Sequence, residues 1–407
     1  MKQSGSADLA LMGGGIPPWL FERMKKLSLA IVESILAEYG HQAFLAKLSN
    51  PFWFQSFGAV IGMDWNSSGV TTAVTRALKD SINPHAQELG LYVCGGKGKQ
   101  SKRTPQELVS VGDKTGLNGE ELSRFSKLVA KVDNTAVQDG FQLYLHSFLV
   151  SRAGDWTAIQ QGMNGNTQQA RRYHWHSKNI SSFVNEPHAA VCGTNQGDIL
   201  NLVAQNAEPT RGGILEIAQE APDKMIREVQ KMILPNYCGV KAKDVNLKRL
   251  GSILWLAQES QTNQFEDLLL LKGLGPRTLQ SLTLVSEVIH GTPSRFSDPA
   301  RYSFAHGSKG GRPFPVPTNI YDETISTLRK AVDRAKIGHT DKQKAISKLT
   351  DLAQKAEQGF TPNDNGSAVR FKQVLEKEQR DSWKHGGRTV KGFVKQPRDG
   401  QMDLFNS

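Results

Sequence analysis

The sequence predicts an α/β or α+β N-terminal domain, a mostly helical domain after it, and a flexible C-terminal tail. Three observations lead there. Apolar residues recur at three- and four-residue steps after Pro17, and short β-rich runs alternate with turn residues from Phe57 to Gln161. Past Lys384 the chain turns to Gly, Lys, Arg and Gln with few apolar residues, too little to bury a core. The expected domains are a catalytic one over 1–205, a helical one over 206–300, an accessory loop and helical region over 301–383, and a tail over 384–407.

The first element is an amphipathic helix from Pro17 through Met24, Leu27, Ile31, Val32 and Ile35, with Gly40 as its stop. Candidate strands follow at Phe57–Met63, Gly90–Cys94, Phe141–Val150 and Trp156–Gln161. The run Ala59–Met63 reads as a buried strand delivering Asp64 into a loop ahead of the next helix. Helical periodicity returns at Met225 and Val229, then at Leu247, Leu250, Ile253 and Leu254. A Pro- and Gly-rich basic stretch, HGSKGGRPFPVPTN, leads into a polar helix through Leu328, Val332 and Ala335, expected to pack along the surface.

A chain of 407 residues with 38% hydrophobic and 22% charged residues has the composition of an ordinary globular protein with a sizeable core. No stretch approaches the ~18 apolar residues of a membrane span, and the N-terminus lacks a secretory pattern, so the expected setting is cytoplasmic, with no membrane partner. Three widely spaced cysteines argue against both a disulfide framework and a CxxC zinc site. The net charge of +11 suits a polyanionic partner such as DNA.

Phe265–Ile289, FEDLLLLKGLGPRTLQSLTLVSEVI, reads as helix, tight turn, helix, with Pro276 suited to the first turn of the second helix. It resembles a helix-hairpin-helix motif, spanning about 264–291. The resemblance implies that Gly273 and Gly275 bring backbone N–H groups against DNA phosphates, that Lys272 and Arg277 add charge-assisted contacts, and that Leu274 packs inward. An ordinary helix–helix connection is the bland reading. Many DNA glycosylases with this hairpin carry a catalytic Asp in a Pro-Val-Asp context; here the nearest match is Pro315-Val316-Pro317. At the C-terminus, Gln401-Met402-Asp403-Leu404-Phe405 resembles the pentapeptide by which bacterial polymerases and repair proteins dock on the sliding clamp. There Gln401 would contact the pocket rim, and Leu404 and Phe405 would enter the apolar pocket.

The remaining polar blocks are candidates for chemistry. Asp64, Asp133, Asp139 and Glu186, if gathered, could hold Mg²⁺ or Mn²⁺, with Asp64 and Asp139 as the metal ligands and His146 as a further catalytic group. Each taken alone is more often a cap, turn or core residue. Lys97 and Lys99, in a Gly- and Lys-rich loop ahead of the capping box Thr104-Pro105-Gln106-Glu107, could surround an anion, although the Walker spacing is absent. Arg171 and Arg172, followed by Tyr173-His174-Trp175-His176, mix charge and aromatic surface suited to phosphate binding and base stacking.

These blocks together, from SADLALMGGGIPPWLFERM through NPFWFQSFGAVIGMDWNSSGVTT, AKVDNTAVQDGFQLYLHSF, ARRYHWHS and NEPHAAV, resemble domain of unknown function 763 over most of residues 4–320. That family often reads Asp-Trp-His-Ser-Ser-Gly where this chain has Asn66. The expectation is a clamp-recruited, nucleoid-associated DNA-processing enzyme of replication or repair, a metal-dependent nuclease. The alternatives are a base-excision glycosylase or lyase, with Lys97 or Lys99 as Schiff-base amine, and a non-catalytic DNA-binding adaptor.

Overall fold

The computed structural model describes residues 16–63, 69–167, 169–231, 247–300, 318–335, 337–357, 388–389 and 392–393. In chain order its helices are α1 (Pro18–Ser49), α2 (Pro51–Val60), α3 (Gly69–Ile82), α4 (Ala86–Leu89), α5 (Thr104–Thr115), α6 (Gly119–Lys131), α7 (Glu208–Gln219), α8 (Pro222–Lys231), α9 (Leu247–Glu259), α10 (Phe265–Leu270), α11 (Pro276–His290), α12 (Thr318–Arg334) and α13 (His339–Glu357). The strands are β1 (Leu91–Lys97), β2 (Val137–Gln138), β3 (Gln142–Ser151), β4 (Trp156–Asn164), β5 (Gln169–His176), β6 (Ala190–Cys192), β7 (Asp198–Asn201), β8 (Phe296–Ser297), β9 (Arg388–Thr389) and β10 (Gly392–Phe393). The fold is mixed α/β, as the sequence predicts. Two compact units divide it: Met1–Ser81 with Cys192–Asn195 and Ala300–Ser407, and Ile82–Val191 with Gln196–Pro299.

The described elements of the first unit are helices, apart from the β9–β10 pair and Cys192 at the end of β6. Gly40 breaks α1 with φ +79° and ψ 175°, after which the helix resumes to Ser49. The expected strand at Phe57–Met63 is instead largely helix. Asn50 caps α2 by accepting from the amides of Phe52 and Trp53 through Oδ1, Pro51 sits at its first position, and all ten residues of α2 are buried. An element buried on every side shows no amphipathic period, so its apolar run reads equally as strand or helix. Asp64, beyond it, lies outside the described residues. Later in the chain, α12 and α13 return to pack on α1 and α2, burying Leu328, Val332 and Ala335. The region expected to run along the surface thus supplies core.

The second unit carries the sheet. β1, β3, β4, β5 and β6 lie in that order, and β1, β3, β4 and β5 pair antiparallel. Three of its strands match sequence expectations to within a few residues at each end. Arg171, Tyr173 and Trp175 line one face of β5 and Arg172, His174 and His176 the other, and all six are buried. Helices α5 and α6 pack on each other and on this sheet. A short sheet, β2-β7-β8, borders the helical group formed by α7, α9, α10 and α11.

Candidate nucleic-acid interface

The segment expected to form a hairpin, near residues 264–291, consists of α10, a five-residue turn and α11. Acidic residues open α10: Glu266 accepts from the Phe183 amide at 3.0 Å and from the Ser182 hydroxyl at 3.3 Å, and Asp267 pairs with Arg124 at 2.7 Å. Gly273 adopts φ +92°, a conformation costly for any residue with a Cβ. Gly275 is different. It is extended, with φ −132°, and an added Cβ would meet nothing closer than Arg249 Nη2 at 4.0 Å. Glycine there keeps the start of α11 bare: the cap has no side chain, and Pro276 follows at the first helical position. Leu274 is buried, packing inward.

The carbonyl edge of this turn is occupied by donors. Arg249 donates to the Gly273 carbonyl at 3.1 Å, Lys131 to that of Leu274 at 2.5 Å, and Gln138 to that of Pro276 at 2.8 Å. Partial burial lowers the Lys131 pKa. Its opposite edge is open: no described residue accepts from the amides of Lys272, Gly273, Gly275, Arg277 or Thr278. The side chains of Lys272 and Arg277 are exposed beside them. The turn therefore combines backbone amides that no described residue accepts from, a helix N-terminus and two exposed cations, an arrangement that favours an anion.

The Lys-rich loop forms a 3-10 turn over Gly98–Arg103. Lys97 and Lys99 are exposed, with the Lys97 ammonium 5.8 Å from the centre of the Tyr144 ring. The expected capping box does not form. Glu107 reaches the Gly95 amide at 2.8 Å instead, and Thr104 donates its hydroxyl to the Ser101 carbonyl. One amide that could have faced an anion is thereby used internally.

Asp133, Asp139 and Glu186, the described members of the expected catalytic set, belong to no group of three His, Cys, Asp or Glu that could hold a metal ion. Asp139 accepts from the Phe141 amide through Oδ1, and from Arg171 at 2.8 Å and the Tyr173 hydroxyl at 2.6 Å through Oδ2. Burial pushes its carboxyl upward more than Arg171 pulls it down. Arg171 is itself clamped between Asp139 and Asp298, and these two carboxylates outweigh burial and hold it protonated. Tyr173 is held well above its ordinary pKa by burial and then by Asp139. Asp139 is thus committed to a buried ion-pair network and does not fit the metal-ligand role. Nor does Arg171 fit DNA contact, being fully buried. Arg172 is buried as well, on the opposite face of β5, donating to His174 Nε2 at 2.8 Å.

His146 departs from expectation too. It lies buried with Nε2 2.8 Å from the Ser126 hydroxyl, and desolvation lowers its pKa to about 4. It is neutral at physiological pH, the ring tautomer sets whether Nε2 or the Ser126 hydroxyl donates, and Nδ1 is buried without a hydrogen-bond partner among the described residues. Glu186 is exposed, in left-handed backbone at φ +45°. Among the described residues no three His, Cys, Asp or Glu groups could hold a metal ion.

Asp133 has a different partner, one that sequence spacing missed. It sits in a π-helical turn over Val132–Ala136, accepts from Gln160 and from Trp175 Nε1 (2.9 Å) through Oδ2, and meets His188 Nε2 through Oδ1 at 2.5 Å. The signal was present in Glu186-Pro187-His188, but no local rule ties that loop to a turn more than fifty residues earlier. The clamp-like residues Gln401, Leu404 and Phe405 lie outside the described residues.

A family model described as "Protein of unknown function (DUF763)" matches residues 5–316. No curated protein and no solved structure matches the chain.

Proposed function

This chain belongs to the DUF763 family, and we propose that it binds DNA through sequence-independent phosphate contacts at the hairpin and processes that DNA in replication or repair. One observation carries the reading. The turn's carbonyls are tied back by Arg249, Lys131 and Gln138, while no described residue accepts from its amides, and Lys272 and Arg277 are exposed beside them. Phosphate contacts of this kind position a duplex without reading its sequence. Recruitment by the sliding clamp through Gln401, Leu404 and Phe405 extends the proposal and would bring the protein to the nucleoid. Among the described residues no helix is long and apolar enough to cross a membrane.

The reaction we propose is phosphodiester cleavage. The described carboxylates do not fit a metal centre, so Mg²⁺ and Mn²⁺ are variables of the assay rather than parts of the mechanism. Labelled single-stranded, nicked, flapped and mismatched DNA, incubated with either metal or with EDTA, tests it. Cleavage of one structure establishes a nuclease and its substrate, and dependence on the metal decides that requirement. Binding without cleavage under every condition leaves a DNA-binding adaptor, and absence of binding refutes the hairpin reading.

A further inference from the structure

We infer that His188 is a general base, oriented by Asp133, that activates water for attack on a phosphodiester held at the hairpin. This rests on the DNA-phosphate reading above and adds the group that would do the chemistry.

The pair has the form such a role requires. Trp175 and Gln160 both donate to Oδ2 of Asp133, which fixes the carboxylate and leaves Oδ1 to His188. The His188 ring also lies 4.5 Å from that of Trp175, centre to centre, and 6.1 Å from that of Tyr173. With Nε2–H donated to Asp133, the lone pair is on Nδ1. No described residue bonds that nitrogen. His146 and His174, by comparison, each engage Nε2 with a neutral or cationic neighbour, Ser126 or Arg172, rather than with a carboxylate. The backbone adds a further sign. Glu186, two residues before His188, holds left-handed backbone, anchored by its amide on the Val203 carbonyl at 2.7 Å. Strain of this kind in a non-glycine residue concentrates at functional sites.

Both halves of the pair are tied to the hairpin. Lys131, two residues before Asp133, holds the Leu274 carbonyl, and Gln138, five after it, holds that of Pro276. On the other side, Glu266 of α10 holds the Phe183 amide at the start of the loop that ends in His188. The segments that hold the turn are thus continuous with those that carry Asp133 and His188. In the step itself, Nδ1 takes a proton from water as the water oxygen bonds to phosphorus. The bond from phosphorus to one ester oxygen breaks, the departing alkoxide takes a proton from solvent, and the imidazolium returns its proton to solvent. The products are a phosphomonoester end and a hydroxyl end.

Wild type, His188→Gln, His188→Ala and Asp133→Asn would be compared for cleavage and for binding of the same labelled nicked and flapped duplexes, with circular dichroism to check folding. General-base catalysis predicts a loss of about 100-fold or more in cleavage for folded His188→Gln with unchanged affinity, and partial rescue of His188→Ala by added imidazole. Wild-type cleavage rates in folded His188→Gln overturn the inference, and so does DNA binding by wild type without cleavage. A separate arm uses diethyl pyrocarbonate and peptide mapping on intact protein without DNA. His188 should be acylated while His174 is not, and more slowly in Asp133→Asn; no acylation at His188 overturns the inference whatever the DNA results. Failure of wild type to bind DNA refutes the hairpin reading itself, and the cleavage role falls with it.

Discussion

Neutralising the two exposed cations of the hairpin, Lys272→Gln with Arg277→Gln, tests the proposed interface through its salt dependence. Each phosphate neutralised by a protein cation releases condensed counterions and contributes about 0.9 to the slope of log affinity against log salt on duplex DNA. Lys272 and Arg277 are exposed beside the open amides, whereas Lys131 and Arg249 are engaged on turn carbonyls. Two contacts are therefore at stake, and the double variant should lose about 1.8 from the slope. Over a fourfold rise in salt, wild type should then weaken about 12-fold more than the variant. Fluorescence anisotropy with a labelled duplex across a salt series reads this directly. Two duplexes of unrelated sequence should give the same change, because phosphates carry no base identity. An unchanged slope would refute the reasoning even if affinity fell, since a lost fold or a remote effect lowers affinity without removing counterion release.

The two glycines should behave differently on substitution. Gly273→Ala, at φ +92°, should lower stability by about 1–2 kcal/mol in denaturant unfolding. Gly275→Ala should leave stability nearly unchanged while weakening DNA binding, and equal destabilisation by both would contradict the geometry. Asp139→Asn leaves Arg171 with one carboxylate in place of two and should cost about 3–5 kcal/mol; full stability with lost cleavage would instead restore a metal-ligand role. Leu328→Ala, at a fully buried position, should cost about 2–5 kcal/mol, measured the same way. His146 has a folded-state pKa of about 4, below its ordinary 6.5, so the unfolded chain binds the proton more readily. Its contribution is complete above about pH 6.5 and is lost as pH falls toward 4, by about 3 kcal/mol at most. His146→Gln should flatten that limb of the stability profile; an unchanged limb would assign it to other groups.

Much of the local structure was legible in the sequence. β1, β3 and β4 follow from short β-rich runs between turn signals, and the break between α10 and α11 from Gly273, Gly275 and Pro276. Helix α2 was not legible, because Phe52, Trp53, Phe54 and Phe57 are all buried and periodicity needs one wet face to show itself. The placement of α12 and α13 was not legible either. Their amphipathic faces specify that something must cover them, but the covering helices α1 and α2 lie more than 250 residues earlier, and local patterning carries no address.

The candidate site shows a sharper form of the same limit. Arg171-Arg172-Tyr173-His174-Trp175-His176 reads as a charged aromatic surface because its composition matches one. In β5 those side chains alternate between two buried faces, where Arg171 balances Asp139 and Asp298 and Trp175 steadies Asp133. A buried arginine is tolerable only with its charge answered, so burial turns a would-be phosphate ligand into a counter-ion for carboxylates from distant segments. The same burial removes Asp139 from metal chemistry and places Asp133 against His188. Residue types alone grouped Asp133 and Asp139 as catalytic carboxylates and singled out Asp139 as a metal ligand. Their separation into a structural ion pair and a carboxylate–imidazole pair comes from which donors the sheet sets before each, Arg171 and Tyr173 for one and Trp175 and Gln160 for the other.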